Sequence, residues 1–174
     1  KSVDAAESWI FTSTGVPVHG QLPIELSATD TNKLYLGTEG KGLFVSNNQG
    51  EDWEWSSRGM TLFINSVDVD PGSPETMYAA SLNTGMFKTI NGGETWENIG
   101  LKDRILFEVD VNPQNPDTVF AVSSRGVVRS QNAGLDWAEL GHQTSFVFSV
   151  AVNPIDRSTV YVGGSAGILL KSTD

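Results

Sequence analysis

The stretch KTINGGETWENIG, residues 88–100, sets a hydroxyl residue, a tight Asn-Gly-Gly turn and a tryptophan at short fixed offsets. The same outline recurs in VSNNQGEDWEW (45–55) and in RSQNAGLDWAEL (129–140). Working outward, Trp9, Trp53, Trp96 and Trp137 stand 44, 43 and 41 residues apart, and seven residues before them lie Ser2, Ser46, Thr89 and Ser130. Ser172 continues the series 42 residues after Ser130. Self-similarity at one period is the signature of a repeat architecture, in which each unit is a small piece of structure that buries its apolar faces only against its neighbours.

Each unit divides into four short apolar runs. INSVDVD (64–70) alternates and ends at Pro71, TMYAAS (76–81) follows a Pro-Gly-Ser-Pro breaker, GMFKTI (85–90) comes next, and TWENI (95–99) follows the Asn-Gly-Gly turn. The third unit repeats the runs as LFEVDVN, TVFAVS, GVVRSQ and DWAEL, and the first as IELSATD, KLYLGT, GLFVSN and DWEWS. The fourth has VFSVAVN, TVYVGG and GILLKS. Strands separated by Gly, Pro and Asn turns, with no 3.6-residue periodicity, read as an all-β chain, and a period of about 42 residues suits the four-stranded antiparallel blade of a β-propeller. The boundaries expected are a last strand of a preceding blade in 1–12 (SWIFT, 8–12), blades over 13–56, 57–99 and 100–140, and an incomplete blade over 141–174. About four blades stand in this chain, which the reading takes as part of a larger ring. Unmatched strands at both ends would allow self-association, because open sheet edges template pairing.

Composition narrows the function classes. A formal charge of −10 with 11 scattered Lys and Arg argues against nucleic acid, which needs clustered cations to displace counterions from phosphates. No apolar run approaches the roughly 20 residues of a membrane helix, so no membrane insertion is expected. With no Cys there is no thiol chemistry and no Cys zinc site. HExxH, a nucleophile elbow and a phosphate loop are all missing, and the reading expects neither a cofactor nor a metal.

The motif Ser/Thr-x-Asp-x-Gly-x-Thr/Ser-Trp resembles the Asp-box, or bacterial neuraminidase repeat, of sialidases, xyloglucan hydrolases, sortilin-type receptors and photosystem II assembly propellers. TINGGETW (89–96), SNNQGEDW (46–53) and SQNAGLDW (130–137) carry Asn91, Asn48 and Asn132 in place of Asp, with Gly93, Gly50 and Gly134 before Trp96, Trp53 and Trp137. SVDAAESW (2–9) keeps Asp4 and Trp9 but has Ala6 at the glycine position. The resemblance implies a structural turn on the outer rim, away from any active site, and an extracellular or periplasmic setting. Its chemistry agrees: Asn holds a turn by accepting an amide two residues on, Gly takes positive φ, and Trp covers the turn.

Chemistry must therefore come from positions that vary between blades. The arginine cluster and Tyr–Glu pair of a sialidase are not legible; Tyr35, Tyr78 and Tyr161 share one packing position, and His19 and His142 are solitary loop residues. Asp68 and Asp110 hold equivalent places on the innermost strands and are the one candidate carboxylate pair, weighed against polar contacts between blades. The connections 13–23, 56–63, 100–107 and 141–148 would form the channel mouth. They offer Arg58, Met60, Lys102 and Arg104 as exposed contacts, while Phe63, Ile105 and Phe146 align as core plugs. Two functions follow: a non-catalytic scaffold that recognises a protein or glycan partner through these loops, or a piece of a sialidase-like or xyloglucanase-like glycoside hydrolase.

Overall fold

The computed structural model describes the chain except residues 3, 13, 18–19, 28, 61–62, 142–146, 157 and 174 and the side chains of Gln21 and Leu22. His19, Leu62, His142 and Phe146 thus lie outside the described residues. Strands β1 (Gln21–Leu26), β2 (Leu34–Thr38), β3 (Gly42–Ser46) and β4 (Glu54–Trp55) form one antiparallel sheet in that order. The next two sheets are β5 (Ile64–Val69), β6 (Met77–Ser81), β7 (Gly85–Thr89), β8 (Glu97–Asn98), then β9 (Leu106–Val111), β10 (Val119–Ser123), β11 (Gly126–Ser130), β12 (Ala138–Leu140). A last sheet of three contains β13 (Val147–Val152), β14 (Val160–Gly164) and β15 (Leu169–Ser172). These are the blades of a β-propeller, with β1, β5, β9 and β13 side by side as the innermost strands.

The sequence dictates this layering through which positions are apolar. In β6 and β10 every residue, MYAAS and VFAVS, is buried. A strand with two buried faces has to lie between two other layers, which here are the neighbouring blades. Accordingly most of the core is shared between blades; a smaller cluster of Val16, Leu36, Phe44 and Trp53 lies within the first. Tyr35 and Leu43 of the first pack with Ile64, Val67, Met77 and Trp96 of the second, and Tyr78 and Met86 of the second with Leu106, Val109 and Val119 of the third. Phe120, Val122 and Val127 of the third meet Val147, Val150 and Val162 of the fourth. The shared Tyr position behaves as expected in Tyr35 and Tyr78, which are fully enclosed, whereas Tyr161 is partly exposed.

The recurrent turn has one geometry four times. Ser46 Oγ donates to Asn48 Oδ1 (2.9 Å) and accepts the amides of Asn48 (3.3 Å) and Gly50 (2.8 Å), while Asn48 Oδ1 also accepts the amide of Asp52 (2.9 Å). Thr89 with Asn91 and Ser130 with Asn132 repeat the set, as do Ser2 and Asp4. The Asn oxygen therefore reaches an amide four residues on rather than two, because the preceding hydroxyl already occupies the nearer amides. Two successive residues take positive φ, as at Gly92 (66°) and Gly93 (91°). A Cβ on Gly93 would stand 2.6 Å from Ser56 Oγ, so both space and dihedral require glycine there.

Beyond the turns at 46–53, 89–96 and 130–137 the tryptophan reaches toward the segment before its blade. Trp96 Nε1 donates to Ser56 O (3.0 Å), Trp137 Nε1 to Ile99 O (3.1 Å), and Trp53 Nε1 to Gly50 O (3.1 Å) and Thr12 O (3.4 Å). Thr12, Ser56 and Ile99 are one repeat position, so the indole nitrogens bridge each blade to the segment before it.

Two expectations fail. Residues 8–12 do not form a strand: Ile10 makes only a local pair of bonds with Lys1 (2.8 and 3.1 Å), and Trp9 and Phe11 are 74% and 97% exposed. A strand is a hydrogen-bonded neighbour relation, and among the described residues no adjacent strand is offered to this one. The first inner strand also begins earlier than IELSATD suggested, at Gln21, with its register shifting between Gln21 and Ile24, where Pro23 lacks the amide a regular ladder uses.

Candidate functional site

Because successive strands are antiparallel, the connections β2–β3 and β4–β5, and their counterparts, emerge at the end of the sheets opposite the recurrent turns. Backbone bonds zip these mouth loops together: Leu82 N to Phe63 O (3.1 Å), Ser124 N to Ile105 O (2.9 Å) and Met86 N to Gly100 O (2.9 Å). Phe63 and Ile105, expected as core plugs, are each 38% exposed and only half serve that purpose.

The four contact candidates separate. Arg58 is exposed and lines a cleft of about 360 Å³ with Glu54, Trp55 and Glu94, while its carbonyl accepts the Trp96 amide at 2.8 Å. Met60, expected to be exposed, packs against the core cluster around Trp96. Lys102 is exposed and Arg104 is not, and the two line a second, open cleft of about 590 Å³ together with Leu82, Ile105, Ser124 and Arg125. The Arg104 side chain is 9% exposed, which corrects the expectation of a free surface cation. Its Nη2 meets Glu139 Oε1 at 3.1 Å and its Nε meets Asp103 Oδ1 at 3.4 Å, and Asp103 also takes Arg125. A guanidinium is not buried without such partners. Despite some desolvation, the bond from Arg104 and the charges of Arg104 and Arg125 hold the Asp103 carboxyl below its usual range. Sequence reading missed Arg125 and Glu139 because their relation to this loop spans a hairpin and most of a blade, and Asp103, next to Arg104 in the chain, gave no signal by itself.

The channel side is lined by carboxylates. Asp68 Oδ2 accepts the amide of Val111 (2.5 Å) and Asp110 Oδ2 that of Val152 (2.6 Å), each from one inner strand to the next. Two residues earlier Ser66 Oγ accepts from Val109 (3.3 Å) and Glu108 Oε2 from Val150 (2.7 Å). Such a bond contributes roughly 1.5–3 kcal/mol when the acid is ionised and about 0.5–1.5 kcal/mol when it is protonated. Burial pushes Asp68 and Asp110 up from the ordinary carboxylate range, against the pull of the amide bonds, and Asp110 and Glu25 raise Asp68 further. Glu25 and Glu108 are raised too, chiefly by desolvation. Glu25 sits 43 residues before Asp68, so the repeat itself held the signal for this third channel acid. A buried acid holding its proton is chemically able to donate one, but a glycosidic pair needs carboxyls about 5–9.5 Å apart around a sugar, and here one oxygen of each is committed to a neighbouring blade. Among the described residues no group of three or more His, Asp or Glu could hold a metal.

No protein-family model matches the chain, and no curated protein matches it. Solved structures do. An ancestral GH74 enzyme superposes with a TM-score of 0.79 at 20% identity over 93% of this chain, and the Niastella koreensis GH74 enzyme with 0.71 at 18% over 87%. The GH74 xyloglucanase from Xanthomonas campestris gives 0.50 at 15% over 87%. The chain spans 23%, 28% and 36% of these proteins' lengths.

Proposed function

We propose that these blades belong to a glycoside hydrolase propeller of the xyloglucanase kind, in which the mouth face shown by Lys102, Arg104, Arg125 and Ile105 forms part of a glycan-binding groove. The observation that carries the reading is the superposition on a GH74 enzyme over 93% of the chain, at identities where only the fold is common. The cleft at the mouth loops, bordered by half-exposed Ile105, suits the apolar face and hydroxyl edge of a sugar, whereas the cleft beside Trp55 runs along the turn at residues 91–94.

The other reading, a non-catalytic propeller that captures a protein or glycan, draws on one observation: the Asp68 and Asp110 oxygens bonded to Val111 and Val152 brace the blades. Both readings use the same face, and hydrolysis separates them. Affinity electrophoresis of the chain in gels containing xyloglucan should retard it, and the intact gene product should release reducing ends from xyloglucan. Retardation without hydrolysis leaves the binding reading; neither effect on xyloglucan or another β-glucan sinks the glycan proposal.

A further inference from the structure

Resting on the glycan reading, we infer that the cleft between β8–β9 and β10–β11 is an acidic-sugar subsite that takes the carboxylate of a uronosyl residue. Arg104, Lys102 and Ser124 border it as hydrogen-bond donors, beside the carboxylate of Asp103. The Nη1 of Arg104 is buried and has no partner, although the side chain is more than nine-tenths enclosed and its other nitrogens are engaged. Leaving such a donor unmatched is costly, and native structures do so where a ligand or water completes the set. Lys102 is exposed on the same cleft and forms no ion pair among the described residues. Ser124 Oγ accepts the amide of Ile105 at 3.2 Å, which leaves its hydroxyl hydrogen to donate.

The acceptors nearby are already used. Asp103 bridges Arg104 and Arg125, and Glu139 holds Nη2. An incoming carboxylate therefore finds three donors on two loops, Lys102 and Arg104 on one and Ser124 on the other, and a local excess of cations on a chain of formal charge −10. Leu82 and half-exposed Ile105 supply apolar area beside them, suited to the face of a pyranose ring. A cleft of about 590 Å³ lies within the 300–1,000 Å³ or so of small-ligand sites, a size that suits a sugar acid.

The test is calorimetric titration of the full chain with trigalacturonate, with its methyl ester (the same sugars without charge), with a neutral xyloglucan oligosaccharide and with a hexaglutamate peptide. The inference expects trigalacturonate to bind at least tenfold tighter than the ester, and 0.5 M salt to reduce that preference. Lys102→Gln should remove most of the preference while leaving the melting temperature unchanged, since Lys102 is exposed; Arg104→Gln should do the same with some loss of stability. Equal binding of acid and ester, a preference unmoved by Lys102→Gln, or tighter capture of hexaglutamate would each overturn it. Binding of the xyloglucan oligosaccharide without trigalacturonate would overturn this subsite and leave the glycan reading standing; binding of neither would remove both.

Discussion

The turn at residues 2–9 and the turn at 89–96 use the same hydrogen bonds, yet their tryptophans live in different worlds: Trp9 is 74% exposed and Trp96 is 5% exposed. The difference is the blade in front. Trp96 Nε1 finds Ser56 O and its ring finds Tyr35, Leu43 and Met77, while no equivalent segment is described ahead of Trp9. Hydroxyl, Asx and two positive-φ residues suffice for the local turn. Energetic importance comes only when a neighbouring blade covers the indole.

Breaking the comparison at its strongest point means truncating the two tryptophans. Trp96→Ala should lower stability by about 3–5 kcal/mol, the range for a large buried aromatic, whereas Trp9→Ala should stay within about 0.5 kcal/mol of the parent. Urea unfolding of both variants checks this; equal losses would mean that the turns contribute without regard to the neighbouring blade.

The glycine position gives the next effect. Gly93→Ala forces a Cβ into left-handed backbone, about 1–2 kcal/mol, and also displaces the Ser56 hydroxyl that donates to Gly93 O at 2.6 Å. Ala6 already bears φ 72° in the uncovered turn. Ala6→Gly should therefore slow amide exchange at Ala6 and Ser8 without moving the global melt, since a turn coupled to no core reports only its own opening.

Two pH effects of opposite sign sharpen the contrast further. Burial raises Asp68 in the folded chain, so its contribution is fully present below its unfolded value of about 4 and is lost as pH climbs through the folded one. Asp68→Asn keeps an acceptor for the Val111 amide and should flatten the fall in melting temperature from pH 5 to pH 8. Asp4 is the reverse and the smallest effect: the Ser8 hydroxyl and amide hold its carboxyl at about 2, so its support is present above the unfolded value and goes as pH falls from about 4 towards 2. Exchange at Ser8 should accelerate in that window, while the Asn-based turns at Asp52, Thr95 and Asp136 should not respond.

The repeat made most of the fold legible. Strands 64–70, 76–81 and 85–90 were readable because alternation, Pro71 and Asn-Gly-Gly are local signals, and the structure places β5, β6 and β7 within them. SWIFT had the right local signals and no partner strand, and strand formation depends on the partner. The site was harder to read. Nothing near Arg104 in sequence announces Glu139, 35 residues on, whose carboxylate together with that of Asp103 lets a loop arginine be enclosed. The inner-strand acids were visible at their repeat offsets, but their bonds to the amides of Val111 and Val152 follow from how one blade stands against the next.

The measurement that bears most directly on the account is a map of backbone amide shifts as the intact chain is titrated with a xyloglucan oligosaccharide. The account predicts changes concentrated at the mouth, over residues 82–84, 100–105 and 124–125, with the turns at 46–53, 89–96 and 130–137 unmoved. Shifts centred on those turns, or none at saturating sugar, would contradict it.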